Sequence, residues 1–336
     1  MKKIFATLLS LLLIVSISIP NVFASANNNY GGIDILQYTD SELDLSQYTI
    51  NDLINMSADD YLDLVREFER VYDPYDSYDA AAESIDSESA QASGEGAELE
   101  WKSGELTNGE WTESGTHEYI TSVACLILST DKGFFSTNAT AVVAITLSIS
   151  LASLLPDEDE NWDGGYYAAH FYNPYTEKNY LSSSSQTAKT KAISHFSTAT
   201  AAAANGDMDT AYEYIGRCLH YIQDVNEPHH AANKVSTGVN AHAKFEAYAQ
   251  ENMETFLENY TSISSSCYTY ALANDIGTIL KAGALSAYAL IDNCNSASNK
   301  SGWSSCAETT LKNAAKYSAE VLYKFSRYSG VPFVNN

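Results

Sequence analysis

The sequence predicts an all-α protein with a single helical domain over residues 101–336. Past residue 115, apolar residues recur at three- and four-residue spacing in one segment after another. Ser, Thr, Asn, Asp and Gly, the residues that start and stop helices, stand between those segments. No stretch reads as the period-two alternation of a half-buried strand, and no internal repeat is present.

The elements follow in chain order. "MKK", the apolar run "IFATLLSLLLIVSISIP" and the small-residue triplet Ala24–Ala26 read as a secretory signal peptide over residues 1–26, so the protein is expected outside the cell. Residues 27–100 hold 19 Asp and Glu against two Arg, so most of the net charge of −25 lies there. Two short helical patterns start near Thr49 and Ser57, and an acidic linker poor in apolar residues follows. This region reads as an acidic propeptide or as a retained acidic extension. Within the body, "THEYITSVACLILS" opens with Thr116 as expected N-cap and Glu118 in its first turn. "NATAVVAITLSISLASLL", residues 138–155, is apolar but rich in Ser and Thr, and reads as a buried helix rather than a membrane span. Residues 186–208 and 209–225 read as two antiparallel helices joined near Asn205 and Gly206. Further helices are expected over 240–260, 273–294 and 307–329. Of five cysteines, Cys294 and Cys306 flank a Ser/Asn-rich loop and are the expected disulfide. Cys125 and Cys218 lie in apolar helical patterns and read as buried thiols.

The chemistry-bearing residues concentrate in "CLHYIQDVNEPHHAAN", residues 218–233. His220 and Asp224 stand at i, i+4 and share one helix face. Pro228 then ends or kinks that helix, and His230 lies beyond it. His242 and Glu246 make a second i, i+4 pair. His230, His242 and Glu246 form a His₂Glu set, a shell that leaves one position open on a catalytic zinc. Asp157 and Asp159 at the exit of the apolar helix and His170 further on would complete a second site with His220 and Asp224, and His117 could lean on it. His195 has no partner at ligand spacing and reads as structural. His229 adjoins His230, and spacing alone does not choose between them. An acidic surface repels nucleic acid, which disfavours that class of partner.

The motif His220-Tyr221, Asp224, Pro228, His230, Asn233 resembles the signature of the bacterial zinc-dependent phospholipases C. "GTHEYI", "PDED", "HFYNPYTEKNY" and "HAKFE" resemble its other ligand segments in the same order, over nearly all of residues 101–336. The resemblance implies an all-α domain around three zinc ions. One ion would take Asp157, His170, His220 and Asp224. A second would take His230, His242 and Glu246, which selects His230 over His229. A third would take His117, with Asp224 bridging, together with the amine and carbonyl of a mature N-terminal Trp. Trp101 is the expected terminus and Trp111 the alternative; both follow a Glu, so a Glu-specific maturation protease would expose either one. Propeptide removal would then activate the enzyme. The cluster would keep a positive charge of about three, hold a phosphodiester and acidify a water to a pKa of about 7. Asp157 would act as general base or orient that water. The products would be diacylglycerol and a phosphorylated head group, from lipids such as phosphatidylcholine. Tyr167 matches one aromatic of the family's head-group site. Glu158 stands where the other aromatic is expected, which fits an amine head group better than a strict choline cage, unless Glu158 is simply a solvated loop acid. The chain lacks the extra C-terminal segment of larger toxin-like relatives, so a single-domain monomer is expected. It would meet phospholipid surfaces through Tyr119, Trp162, Tyr166 and Tyr167. The rival readings are an S1/P1-type single-strand nuclease and a non-catalytic secreted protein stabilised by zinc. The nucleases use His-x₃-Asp after a longer gap, and a purely structural zinc site would be closed.

Overall fold

The computed structural model describes residues 106–107, 110–111, 115–132, 146, 148–159, 167–236 and 240–329. The expected signal peptide and acidic region, Trp101, Trp162 and Tyr166 lie outside those residues. The described elements are a two-residue hairpin, β1 (Leu106–Thr107) and β2 (Glu110–Trp111), then α1 (Thr116–Lys132), α2 (Leu155–Asp159), a 3₁₀ turn (Ala168–His170), α3 (Ala188–Ala204), α4 (Met208–Asp224), α5 (Pro228–Ala231), α6 (Ala241–Leu257), α7 (Ser265–Ala273), α8 (Ile276–Tyr288), α9 (Ile291–Cys294) and α10 (Trp303–Ser329). The architecture is all-α as expected, with β1 and β2 pairing antiparallel as its small exception. No helix among the described residues is long and apolar enough to cross a membrane.

Local chemistry explains most boundaries. Thr187 and Thr190 form a reciprocal capping box at the start of α3. Asp207, Ser264 and Asp275 accept backbone N–H bonds at the starts of α4, α7 and α8. The α3–α4 turn needs φ +79° at Gly206, a left-handed conformation that glycine adopts without strain. Thr116 is the first helical residue of α1 rather than its cap, and its hydroxyl makes no hydrogen bond. Helix α7 has no counterpart in the sequence reading, because the Ser run "SISSS" before it masks the short apolar pattern. Cys294 and Cys306 are neighbours, but both are free thiols, and each reaches the same acceptor, the Leu290 carbonyl.

The long α10 packs against α1, α4, α6, α7 and α8 and so forms the spine of the core. Trp303, Leu311, Val321 and Phe325 on it are fully or almost fully buried. Helices α3 and α4 pack against each other as an antiparallel pair, and both touch α10. Helical residues 148–152 close over α4 at Gly216, where a Cβ would stand 2.5 Å from the Ile149 carbonyl oxygen and 2.6 Å from the Ala152 Cβ. Ile149 and Ala152 are buried, as expected of the apolar segment, whose residues 138–145 lie outside the described ones.

Gly216→Ala overpacks this seam and is expected to cost about 1–3 kcal/mol, read as a lowered denaturant midpoint at unchanged slope. A second test concerns Glu320, which is 2% exposed on α10. Burial raises its carboxyl from 4.5 to about 7, against the opposing influence of Lys316 and Cys267. The folded pKa is the higher one, so this group's stability penalty is absent below 4.5 and grows until pH reaches about 7. Glu320→Gln should therefore raise the Tm progressively across that window and by a constant amount above it. A Tm difference independent of pH would refute the assignment.

Candidate metal centre

Four elements deliver the first cluster. His117 projects from the first turn of α1, Asp157 from α2, His170 from the 3₁₀ turn, and His220 and Asp224 from the last turns of α4. His220 and Asp224 share a face, as the i, i+4 spacing requires. Their reactive atoms converge. Asp224 Oδ2 is 3.0 Å from His170 Nδ1 and 3.2 Å from His220 Nε2, while Asp224 Oδ1 is 3.5 Å from His117 Nε2. Asp157 Oδ1 is 3.6 Å from His170 Nδ1 and 3.4 Å from His220 Nε2. All of these side chains are fully buried except Asp157, whose side chain is 14% exposed. The ring of His117 stacks on that of His220 at 4.0 Å.

Hydrogen bonds behind the rings fix their tautomers. A carbonyl can only accept, so at 2.8 Å from the Ser153 carbonyl His220 Nδ1 carries a proton, and its Nε2 faces the cluster. Gln223 acts likewise on His117. Its Nε2 donates to Thr121 Oγ1 at 2.9 Å and Ser318 Oγ at 3.3 Å, which turns its Oε1 toward His117 Nδ1 at 2.7 Å. Such partners orient metal ligands and raise their basicity. The sequence reading missed Gln223; its i+3 spacing from His220 was the available signal.

The second cluster forms just past the end of α4. Pro228 does not merely end that helix; it opens the one-turn α5, with Glu227 as N-cap. His230 Nδ1 stands 3.3 Å from the His170 carbonyl, and its ring stacks on Phe171 at 4.5 Å. Its Nε2 faces Glu246 Oε1 at 3.3 Å, and His242 Nε2 is 2.9 Å from the same oxygen. Asn233 takes the left-handed conformation, φ +56°, that Asn tolerates, and its Nδ2 donates to the Lys178 carbonyl. His229 is buried as well, with Nδ1 2.6 Å from Glu227 Oε1. Spacing does not choose between the adjacent histidines, and the structure buries both, because neighbouring positions on a helical turn project to different sides and both sides here are covered. His195 sits among Tyr214 and Tyr221, a packing role, as expected.

The donors fit zinc. His170, His220 and Asp157, then His117, His220 and Asp224, then Glu227, His230, His242 and Glu246 each bring nitrogen and carboxylate atoms within 4.8 Å of one another. Asp224 Oδ1, His230 Nε2 and Glu246 Oε2 are buried and make no hydrogen bond. Buried lone pairs crowded together in this way call for a cation. The electrostatics agree. Burial is the largest influence on Asp224 and opposes its charge, yet His220 and His170 outweigh it and hold the carboxyl well below its ordinary range. Burial likewise opposes the charge of Asp157, and His220 again prevails. Burial, with His220 beside it, lowers His117 to about 4, so its imidazole is neutral and able to donate its lone pair at pH 7. Burial raises Glu246 to about 8, only partly relieved by His230.

Other expected residues fare unequally. Tyr167 is half-buried, 5.7 Å from the His170 ring, and adopts φ +49°, a conformation uncommon for a bulky residue. Tyr119 is buried at 8% exposure, because its face of α1 turns into the core, and so it cannot meet a lipid surface. The backbone of Trp111 lies in β2, paired with Leu106, while the side chains of Trp111 and Glu158 lie outside the described residues.

No family model matches the chain. The phospholipase C of Clostridium perfringens is 30% identical over 248 residues, covering 65% of this chain and 60% of that protein. The phospholipase C of Bacillus cereus is 36% identical over 105 residues, 31% of this chain and 35% of the relative. The chain thus spans about three fifths or less of these curated relatives' lengths. The solved alpha toxin of Clostridium absonum superposes with a TM-score of 0.58 at 26% identity, over 65% of this chain and 66% of that one.

Gln223→Met removes the amide that aims His117 while keeping the side chain's length. It is expected to weaken zinc binding roughly 10- to 100-fold, measured by competition with a chromophoric chelator. Unchanged affinity would show that Gln223 has no orienting role.

Proposed function

We propose that this chain belongs to the bacterial phospholipase C family, whose members it resembles, and that it is a zinc-dependent phospholipase C acting on the glycerol-side phosphodiester bond of membrane phospholipids. Residues 101–336 form the catalytic body in this reading, and residues 1–26 and 27–100 direct secretion and hold the enzyme latent. The observation that carries it is the convergence of Asp157, His170, His220 and Asp224, with Asp157 the one ligand in the two clusters whose side chain reaches solvent beyond a trace.

Zinc is held in this reading by Asp157, His170, His220 and Asp224, by His230, His242 and Glu246, and by His117 with the amine of a mature N-terminal Trp. When bound, it supplies an acidified water and neutralises charge on the phosphoryl oxygens. The protein's own contribution is orientation. Ser153 and Gln223 lock His220 and His117 in the tautomers that point Nε2 inward. Asp224 addresses both clusters, since its Oδ1 faces His117 and also His230, the latter at 3.8 Å. Asp157 is ionised, lies at the exposed edge, and receives or directs the proton of the attacking water. As the water adds to phosphorus, the bond to the glycerol oxygen breaks. Diacylglycerol leaves with a proton, and the head group departs as its phosphate monoester. Tyr167 stands beside His170, where its ring face can meet a cationic head group.

The test uses the 101–336 and 111–336 forms on phosphatidylcholine and phosphatidylethanolamine vesicles, with and without a zinc chelator, beside single-stranded DNA. Phosphorylated head-group release that a chelator stops, with DNA intact, is the expected result. Cut DNA with intact lipid would make the chain a nuclease. Asp157→Asn is expected to lower kcat by about 10²–10⁴-fold with KM little changed.

A further inference from the structure

Neither Glu227 nor His229 is among the ligands that the family resemblance implies, yet both side chains are buried against the second cluster. We propose that Glu227 is a fourth protein ligand of the metal site built from His230, His242 and Glu246, and that His229 is the positioning residue that aims it. The proposal rests on the zinc reading given above.

Glu227 is fixed at two points. Its Oε1 lies 2.6 Å from His229 Nδ1, and its Oε2 accepts the His230 backbone N–H at 2.8 Å. That same Oε2 stands 3.7 Å from His242 Nε2. His242 Nε2 is in turn 2.9 Å from Glu246 Oε1, which lies 3.3 Å from His230 Nε2. Donor atoms around a tetrahedral zinc, with bonds of about 2.0–2.1 Å, stand roughly 3.3–3.4 Å apart. The observed separations bracket that value, and all four donor atoms lie within 4.8 Å of one another. An oxygen that accepts one hydrogen bond keeps a second lone pair for a cation. The His229 ring stacks on His242 at 4.8 Å with an interplanar angle of 10°, so one imidazole braces a ligand while its Nδ1 holds the carboxylate. Capping α5 alone would need only a short acceptor such as Ser or Asp. The longer Glu serves the cap and reaches the cluster together.

The consequence is a division of labour. A site with four side chains is closed and retains its ion, the pattern of structural zinc. The expected open His₂Glu shell is then not open, and the reacting water belongs to the neighbouring cluster, at the partly exposed Asp157.

Full-chain protein, Glu227→Gln and His229→Phe would each be loaded with zinc and freed of excess. Zinc content and the rate of zinc transfer to a chromophoric chelator would be measured, followed by the visible absorption of the cobalt(II)-substituted forms. Gln keeps the capping oxygen, so the turn is retained while the charge is lost. Glu227→Gln should release one ion about tenfold faster or more, with the others unchanged, and weaken the intense visible band of four-coordinate cobalt. His229→Phe should give a smaller acceleration in the same phase. A folded Glu227→Gln with unchanged release and cobalt spectrum overturns the assignment. If that variant fails to fold, an unchanged release phase in His229→Phe overturns it instead. Wild-type protein that holds no zinc would overturn the underlying zinc reading as well, whereas tight binding indifferent to both substitutions overturns this proposal alone.

Discussion

The Asp224 carboxylate is the constraint on which the rest of the site depends. It is fully buried, and its two oxygens face His117, His170, His220 and His230 at 3.0–3.8 Å. A carboxylate removed from water is costly unless cations or donors surround it. Here its neighbours are imidazoles, and Ser153 and Gln223 commit the outer nitrogens of two of them, so their inner nitrogens face the carboxylate. That arrangement is poor for an isolated protein interior and good for divalent metal. The last turn of α4 must therefore be held in place by packing remote from the chemistry.

The fold supplies that packing along one line. Gly216, two turns before Asp224, lets residues 148–152 close onto α4. The same strip of chain then presents the Ser153 carbonyl to His220 and leads into α2 with Asp157. On the opposite side α10 sends Ser318 to Gln223, which in turn orients His117. A substitution anywhere on this line moves a ligand without touching it. Pro228 completes the device: by opening a new turn right after α4 it brings His229 and His230 into the second cluster.

Much of this was legible in the sequence because it is local. Helical periodicity marked α1, α3, α4, α6, α8 and α10, and i, i+4 spacing put His220 with Asp224 and His242 with Glu246 on common faces. The motif around Pro228 carried the family resemblance. What escaped was either weakly patterned or non-local. Helix α7 hides behind a serine run. Thr116 resembles a cap by type, but the helix starts on it. Tyr119 looked available for a lipid surface until α1 was seen to turn that face inward. His229 was set aside on the family resemblance, whereas a single helical turn buried on both sides accepts both histidines.

By itself, then, the sequence marked the candidate metal-holding residues, their order and their helix faces, since spacing along a helix fixes direction. Only the tertiary structure decided how those faces meet. Gln223 behind His117, the Ser153 carbonyl behind His220, and Glu227 with His229 beside the second cluster are contacts between segments far apart in the chain or around a buried turn. Periodicity carries no record of them, because the three-dimensional closure of α1, α4 and α10 sets their distances, and a donor and an acceptor bond only when they are brought within reach.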